Sequence, residues 1–422
     1  MTFPNKFTFI DLFAGIGGFH QALEQLGGDC VLASEFHLET QNIYRLNYQN
    51  KMSGPIVGDI VPLTEPSVSP VIPPHDVLAG GFPCQPFSKS GLQRGIEETR
   101  GTLFFNILNI VKHRLPQYII LENVPNLVGP KHRETWTQIV SQLRLLGYRV
   151  SSTPTIFSPH LLPPRMGGAP QIRNRVYIFG KYVGIDAAMN EFGSENFYIP
   201  NQPVDGWSPG NWNLDDYLLD KDIETSEMKL GHERKLALDA WAGFLKIVGS
   251  PTGRKLPGFP IWEWALQPVP ELGDQMPVWK LNFLKKNAAF YVENAKAIEK
   301  WRSLYPYISK LPNSYRKLEW QADDAPAFSD CAIQFRPSGL RVKKANYLPA
   351  LVALNQPSYI GSVSRFISVK EAARLQSFSP NFEFGNQSAA LSMKQLGNAV
   401  SVSAVKYVFQ KFVEEYSEVG GI

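Results

Sequence analysis

The sequence predicts an α/β fold, a doubly wound and mostly parallel sheet, joined to a second, smaller and irregular domain. Three observations carry this expectation. From Lys6 to about Gly180, short apolar runs alternate with amphipathic stretches, the pattern of successive βαβ units. After Gly180 the alternation stops, and eight of the nine tryptophans fall between Trp207 and Trp320. Regular texture returns near Arg365. A chain of 422 residues also exceeds the size at which one core keeps growing, so two domains are expected. The expected division is 1–184, 185–335 and 336–422, with the last segment completing the first domain.

Phe7 to Phe13 reads as the first strand, followed by a glycine turn and a helix from Gly18 to Leu26 that Gly27 and Gly28 stop. Cys30 to Ser34 reads as the second strand, with Glu35 at its carboxyl end. Beyond the proline-rich connection Pro62 to Pro74 come a strand at Asp76 to Phe82, a helix at Leu103 to Lys112 and a strand at Tyr118 to Leu121. Ser368 to Gln376 reads as a helix with Ser368 as N-cap and Glu371 closing a capping box. Lys394 to Phe409 reads as a loop at Gly397-Asn398 followed by an apolar helix or strand.

Hydrophobic residues make up 44% of the chain against 19% charged, and no low-complexity tract or fixed repeat occurs, which excludes a disordered or fibrous protein. Cys30, Cys84 and Cys331 are too few and too scattered for a disulfide framework or a thiolate metal site. A reducing cytosol, no metal and at least one free thiol are therefore expected. Met1 to Lys6 lacks the parts of a signal peptide, and no apolar run reaches the ~18 residues that span a bilayer, so no membrane partner is expected. A net charge of +4 permits a polyanionic partner without indicating one.

Four motifs stand at strand ends. Asp11-Leu-Phe-Ala-Gly-Ile-Gly-Gly is a glycine turn between strand and helix, with Glu35 seventeen positions beyond Gly18. Such a turn lets the backbone approach a nucleoside while the acid accepts bonds from ribose hydroxyls; NAD, a flavin, S-adenosylmethionine or a merely tight corner all fit. His20 stands where a dinucleotide fingerprint has its third glycine. Gly80-Gly-Phe-Pro-Cys84-Gln-Pro-Phe-Ser sets a cysteine just after a parallel strand, where open α/β sheets bind ligands. A lone cysteine is more often a small buried hydrophobe. The flanking glycines and prolines instead make a rigid loop with access to substrate, and Gln85, Ser88 and Ser90 suggest a phosphate or base close by.

Tyr118-Ile-Ile-Leu-Glu122-Asn-Val ends an apolar strand on a carboxylate, either a water-facing acid or one turned into the same cleft as Cys84. Gln171-Ile-Arg173-Asn-Arg175 sets two arginines at alternate positions entering a strand, fit to hold a phosphate or carbonyl oxygen or simply to line a sheet edge.

Taken in order, Phe9 to Phe19, Gly58-Asp59-Ile60, Phe82-Pro-Cys-Gln, Glu122-Asn-Val, Gln171-x-Arg-x-Arg and Gly397-Asn398-Ala-Val resemble the signatures of the DNA cytosine-C5 methyltransferases. The likeness spans roughly 7–180 and 336–409, and implies the S-adenosylmethionine-dependent methyltransferase type of sheet. It implies Cys84 as nucleophile, Glu122 as the acid at cytosine N3, and Arg175 at the base carbonyl with Arg173 nearby. Phe13, Gly15, Ile16, Gly18, Glu35, Asp59, Ile60, Pro83 and Asn398 would hold S-adenosylmethionine, leaving S-adenosylhomocysteine as product. Double-stranded DNA would be the substrate, with the target base flipped out, and a cognate restriction endonuclease the functional partner of a monomeric bacterial enzyme. His37 stands where the family often has aspartate, and Leu340 to Arg365 matches only loosely. An RNA cytosine methyltransferase shares the chemistry, but the tryptophan-rich insertion favours an enzyme that reads DNA; an oxidoreductase shares only the glycine turn. The segment 185–335 is expected to choose the sequence, through basic residues such as Arg234, Lys235, Arg254, Lys255, Lys285, Lys286, Arg316 and Lys317.

Overall fold

The computed structural model describes residues 6–64, 71–83, 103–190, 197–220, 223, 228–249, 256–269, 276–353 and 357–418. They form two compact units, one of Met1–Asn211, Pro349–Ala353 and Ala372–Ile422, the other of Trp212–Leu348 and Leu354–Glu371. The segment 185–335 thus begins within the first unit and ends within the second.

The first unit is built on β1 (Phe7–Leu12), β2 (Gly28–Ser34), β3 (Ile56–Val57), β4 (Val77–Gly81), β5 (Tyr118–Asn123), β6 (Tyr148–Arg149), β7 (Thr155–Phe157), β8 (Gln171–Ile172) and β9 (Arg175–Tyr182). Its main sheet runs β3-β2-β1-β4-β5-β9-β6, with β7 also on β9. The pairings from β3 to β5 are parallel, and those to β9 are antiparallel. Residues 118–123 of β5 are all buried, as expected of a central strand covered on both faces. The β5 strand extends two residues beyond the expected Leu121, because Glu122 and Asn123 pair with Tyr177 and Val176 of β9.

Helices α1 (Gly18–Glu24), α2 (Leu38–Tyr48), α3 (Leu103–Arg114) and α4 (Arg133–Leu145) connect these strands. Ile107 and Val111 of α3 and Ile139 and Leu143 of α4 share one core with Ile10, Leu78 and Ile119. The return segment supplies α5 (Ala389–Asn398) and α6 (Val402–Glu418). Phe409 and Phe412 of α6 pack edge-on against Tyr118, with centroids 6.2 and 5.9 Å away, so the end of the chain covers the first sheet. The expected loop at Gly397-Asn398 is instead the last turn of α5. Ser388 caps that helix by accepting from the Leu391 amide, and the chain leaves helical geometry at Ala399.

The second unit is not irregular. It holds β10 (Ile261–Trp262), β11 (Lys317–Gln321), β12 (Cys331–Arg336) and β13 (Gly339–Lys344) in the order β10-β11-β13-β12, continued by Tyr359–Ile360 and Arg365–Phe366. Tryptophans make its core: Trp241 and Trp301 stack 5.4 Å apart and are fully buried, and their indole N–H groups donate to Tyr315 and Ala240 carbonyls at 2.8 and 2.7 Å. The predicted capping box is present: Ser368 Oγ accepts the Glu371 amide at 3.1 Å while the Glu371 carboxylate accepts the Ser368 amide at 2.6 Å. The helix it starts runs Val369–Leu375, and Arg365 also pairs with Glu371 at 2.7 Å. Among the described residues no helix is long and apolar enough to cross a membrane.

Candidate active site

The sheet order reverses between β1 and β4, and ligands of open α/β sheets bind beyond the carboxyl ends of strands at such a switch point. Register aligns Leu12 with Gly80 and Gly81 with Glu122, so the glycine turn, the chain running on from β4 to Pro83 and the end of β5 open from one edge.

The glycine turn is built for close approach. Phe13 sits at φ 55°, an uncommon conformation for a side-chain-bearing residue, followed by Gly15 at φ 57° and Gly17 at φ 91°. A Cβ on Gly17 would strike the Tyr48 ring at 2.2 Å, whereas one on Gly15 would meet nothing within 4 Å, leaving that backbone open to a ligand. Gly15 N–H donates to Glu35 Oε2 and His37 N–H to Glu35 Oε1, both at 2.9 Å. Each carboxylate oxygen has a second lone pair left, which suits two ribose hydroxyls. The turn and its acid therefore fit a nucleoside cofactor. Ile16 and Ile60 are buried beside it, while exposed Asp59 accepts the Val61 amide at 3.0 Å.

His20 explains why a third glycine is not needed. Its ring is buried, stacked on Tyr48 at 4.0 Å, with Nδ1 2.6 Å from the Tyr44 hydroxyl. Burial drives its pKa down to about 3, so it is a neutral packing group. Tyr48 in turn donates to Gly17 O at 3.1 Å. No residue pattern points to this tyrosine pair beneath the turn.

At the end of β5, Arg175 Nε lies 2.8 Å from Glu122 Oε1, and both side chains are largely buried. Burial raises the Glu122 pKa above the ordinary carboxylate value, outweighing the opposing pull of Arg175 and Arg173. Next to it Asn123 Nδ2 donates to the Phe82 carbonyl at 3.0 Å, fixing the chain just before exposed Pro83. Cys84, Gln85, Ser88 and Ser90 lie outside the described residues.

Arg173 has a different setting from Arg175. Its buried guanidinium donates to the carbonyls of Leu351, Gly397 and Ala399 at 2.8, 3.1 and 2.7 Å. Burial, then Arg175, lowers its pKa to about 9, which keeps it cationic at neutral pH. Gln171 and Gln376 extend the same brace: Gln171 accepts the Leu351 amide at 2.8 Å and donates to Leu375 O at 2.7 Å, and Gln376 donates to Leu396 O at 2.7 Å. The brace fixes the turn that presents exposed Asn398 and seats Val400 against Gly18, where an added Cβ would fall 2.6 Å from Val400 Cγ2. We predict that Arg173→Met, which strands three buried carbonyls, costs ~3 kcal/mol or more of stability in denaturant unfolding. An unchanged midpoint would show that the brace is dispensable.

The family model described as C-5 cytosine-specific DNA methylase matches residues 7–414. The chain is 39% identical to the type II methyltransferase M.AluI of Cellulosimicrobium cellulans, over 97% of this chain and 92% of that protein. It is 37% identical to M.HhaI of Haemophilus parahaemolyticus over 46% of this chain and 52% of that one, and 26% identical to M.HgiBI of Herpetosiphon aurantiacus over 94% of each. The chain accordingly belongs to the C-5 cytosine-specific DNA methylase family and is a DNA cytosine methyltransferase with an α/β, mostly parallel catalytic sheet.

Proposed function

We propose that the protein methylates C5 of one cytosine within a specific duplex sequence, with S-adenosylmethionine as donor and Cys84 as covalent nucleophile. The observation that carries the reading is the buried Glu122–Arg175 pair, level with Gly81 on the strand that leads into Pro83 and Cys84.

Cytosine C5 is too weak a nucleophile to take a methyl group while the ring keeps its conjugation. The Cys84 thiolate adds to C6, forming a C–S bond, while Glu122 holds a proton at N3 and takes up the charge pushed into the ring. C5 then has enamine character. S-adenosylmethionine, when bound, supplies an electrophilic methyl group on its sulfonium. After C5 is alkylated its proton leaves to a base, the C–S bond breaks and the thiolate departs. Burial suits Glu122 to this task because it favours the protonated acid. Arg175 is suited to bind the base carbonyl, and Arg173 acts through the brace on the return segment rather than on the base.

Phe13, Gly15, Ile16, Gly18, Glu35, Asp59, Ile60, Pro83 and Asn398 would hold the cofactor. Gln85, Ser88 and Ser90 would meet the DNA. None of these groups can reach C6 in a stacked duplex, so the target base must leave the helix. The relatives named as type II methyltransferases support a role beside a restriction endonuclease. We assign target choice to the second unit, since the motifs that the reaction needs belong to the first.

Bisulfite sequencing of duplex DNA treated with enzyme and S-adenosylmethionine should show conversion-resistant cytosine at a single position of one short sequence. Methyl transfer to tRNA but not to duplex DNA would overturn this reading in favour of an RNA enzyme.

A further inference from the structure

Side chains alternate across the sheet of the second unit: one face is apolar, while the other is charged on β11 and β13 and bordered by buried Trp262 and Ala332. Leu318, Trp320, Leu340, Val342, Ile333 and Phe335 enter the core. The opposite face carries Lys317 and Glu319 from β11, Arg341 and Lys343 from β13, and Arg336 from β12, four cations against one acid. Glu319 is already engaged by Arg336 and by Arg341, whose Nη2 lies 3.1 Å away. Among the described residues neither Lys317 nor Lys343 has an ion-pair partner.

Lys317 has an aromatic seat at the sheet edge. Its Nζ lies 5.9 and 5.4 Å from the ring centroids of Trp262 and Trp264, which stack 5.7 Å apart. Gly339 beside it has no room for a side chain, since a Cβ there would fall 2.7 Å from Lys317 Cβ. Lys343 is partly buried, and burial followed by Arg341 lowers its pKa, a strain that a bound anion would relieve. The two lysines stand four residue positions apart along the paired strands, ~13 Å, enough to meet separate phosphates. Other basic residues of this unit are differently used. Arg316 holds the Glu263 carboxylate at 2.9 and 2.7 Å, and Arg234 lies over the Phe335 and Phe366 rings. Arg254 and Lys255 lie outside the described residues.

We propose that this polar sheet face binds the phosphate backbone of double-stranded DNA, with Lys317 and Lys343 as the contacting cations and the Glu319-bound arginines setting the field between them. The proposal rests on the DNA-methylating function above and adds the surface through which the second unit grips its substrate.

The test is a Lys317→Ala/Lys343→Ala double variant of the full chain, titrated by fluorescence anisotropy against the duplex it methylates and an unrelated duplex. The salt range is 50 to 200 mM, as in the usual counterion analysis. Loss of two phosphate contacts should reduce the slope of log affinity against log salt by about 2 for both duplexes. Cofactor affinity should be unchanged, and Lys317→Arg/Lys343→Arg should restore the slope. An unchanged slope in an active double variant would overturn the proposal while leaving the methylation reading intact. Weakened binding to the methylated duplex alone, at unchanged slope, would also overturn it, since that marks base reading. Failure of the arginine variant to restore the slope, with a lowered unfolding midpoint, would make the lysines structural and overturn it too. If the wild-type protein methylates no duplex at all, it is the methylation reading that fails.

Discussion

Cys84→Ala should reduce methyl transfer to duplex DNA by at least ~10⁴-fold, the scale on which removing a nucleophile acts in other covalent enzymes. The expectation does not rest on sequence position alone. The chain has three cysteines, and the other two are unsuited to nucleophilic attack. Cys30 is 1% exposed, its Sγ faces Leu32 O at 3.4 Å, and burial together with Asp11 pushes its pKa far up. Cys331 is fully buried on β12, where burial raises its thiol pKa to about 12. Neither can supply thiolate at neutral pH. Folding and cofactor affinity should survive the substitution, and DNA affinity should change little. A variant that still methylates DNA at the wild-type rate would remove Cys84 from the mechanism.

Glu122→Gln should lower turnover by at least ~100-fold, the lower end of general acid-base contributions, with DNA affinity nearly unchanged. Glutamine keeps the length and one carbonyl acceptor for Arg175 Nε but cannot hold the proton that burial favours on the acid. The neutral amide leaves the buried Arg175 charge without its carboxylate partner, so the variant should also lose some stability in denaturant unfolding. Single-turnover kinetics with saturating DNA and cofactor separate this from a binding defect. Unchanged single-turnover rates with lost DNA affinity would make Glu122 a positioning group.

Much of the first unit was legible in the sequence, for reasons particular residues make plain. Buried parallel strands such as Tyr118 to Leu121 are continuous apolar runs, and Ser368 with Glu371 has a spacing that only a capping box explains. What was not legible depends on long-range partners. Glu122 belongs to β5 because β9 pairs with it, and its partner there, Tyr177, lies 55 residues further along the chain. The Gly397-Asn398 pair looks like a loop, yet Gln376 and Arg173 take up the carbonyls at that helix end. In the second unit β11 and β13 alternate lysine, glutamate and arginine with core residues, and their short length and the surrounding prolines hid the sheet. Three of the tryptophans that make this region look irregular, Trp241, Trp301 and Trp320, belong to its core.

Arg173 shows the same lesson within the site. The family resemblance sets it near Arg175 and the base carbonyl, and its guanidinium is committed to three backbone carbonyls. The sheet edge thus carries two arginines of unlike use, one paired with Glu122 and the other bracing the segment that presents Asn398.

The central claim is that methylation proceeds through a bond between Cys84 and the target base, and one measurement addresses it directly. Duplex DNA with 5-fluorocytosine at the methylated position is incubated with enzyme and S-adenosylmethionine, denatured, digested and mapped by mass spectrometry. Fluorine cannot leave as the C5 proton does, so the adduct should persist. The account predicts one cross-linked peptide, containing Cys84 and carrying a methylated fluorocytosine. A cross-link at Cys30 or Cys331, or full methylation of ordinary cytosine by an enzyme that forms no adduct with the fluorinated duplex, would contradict it.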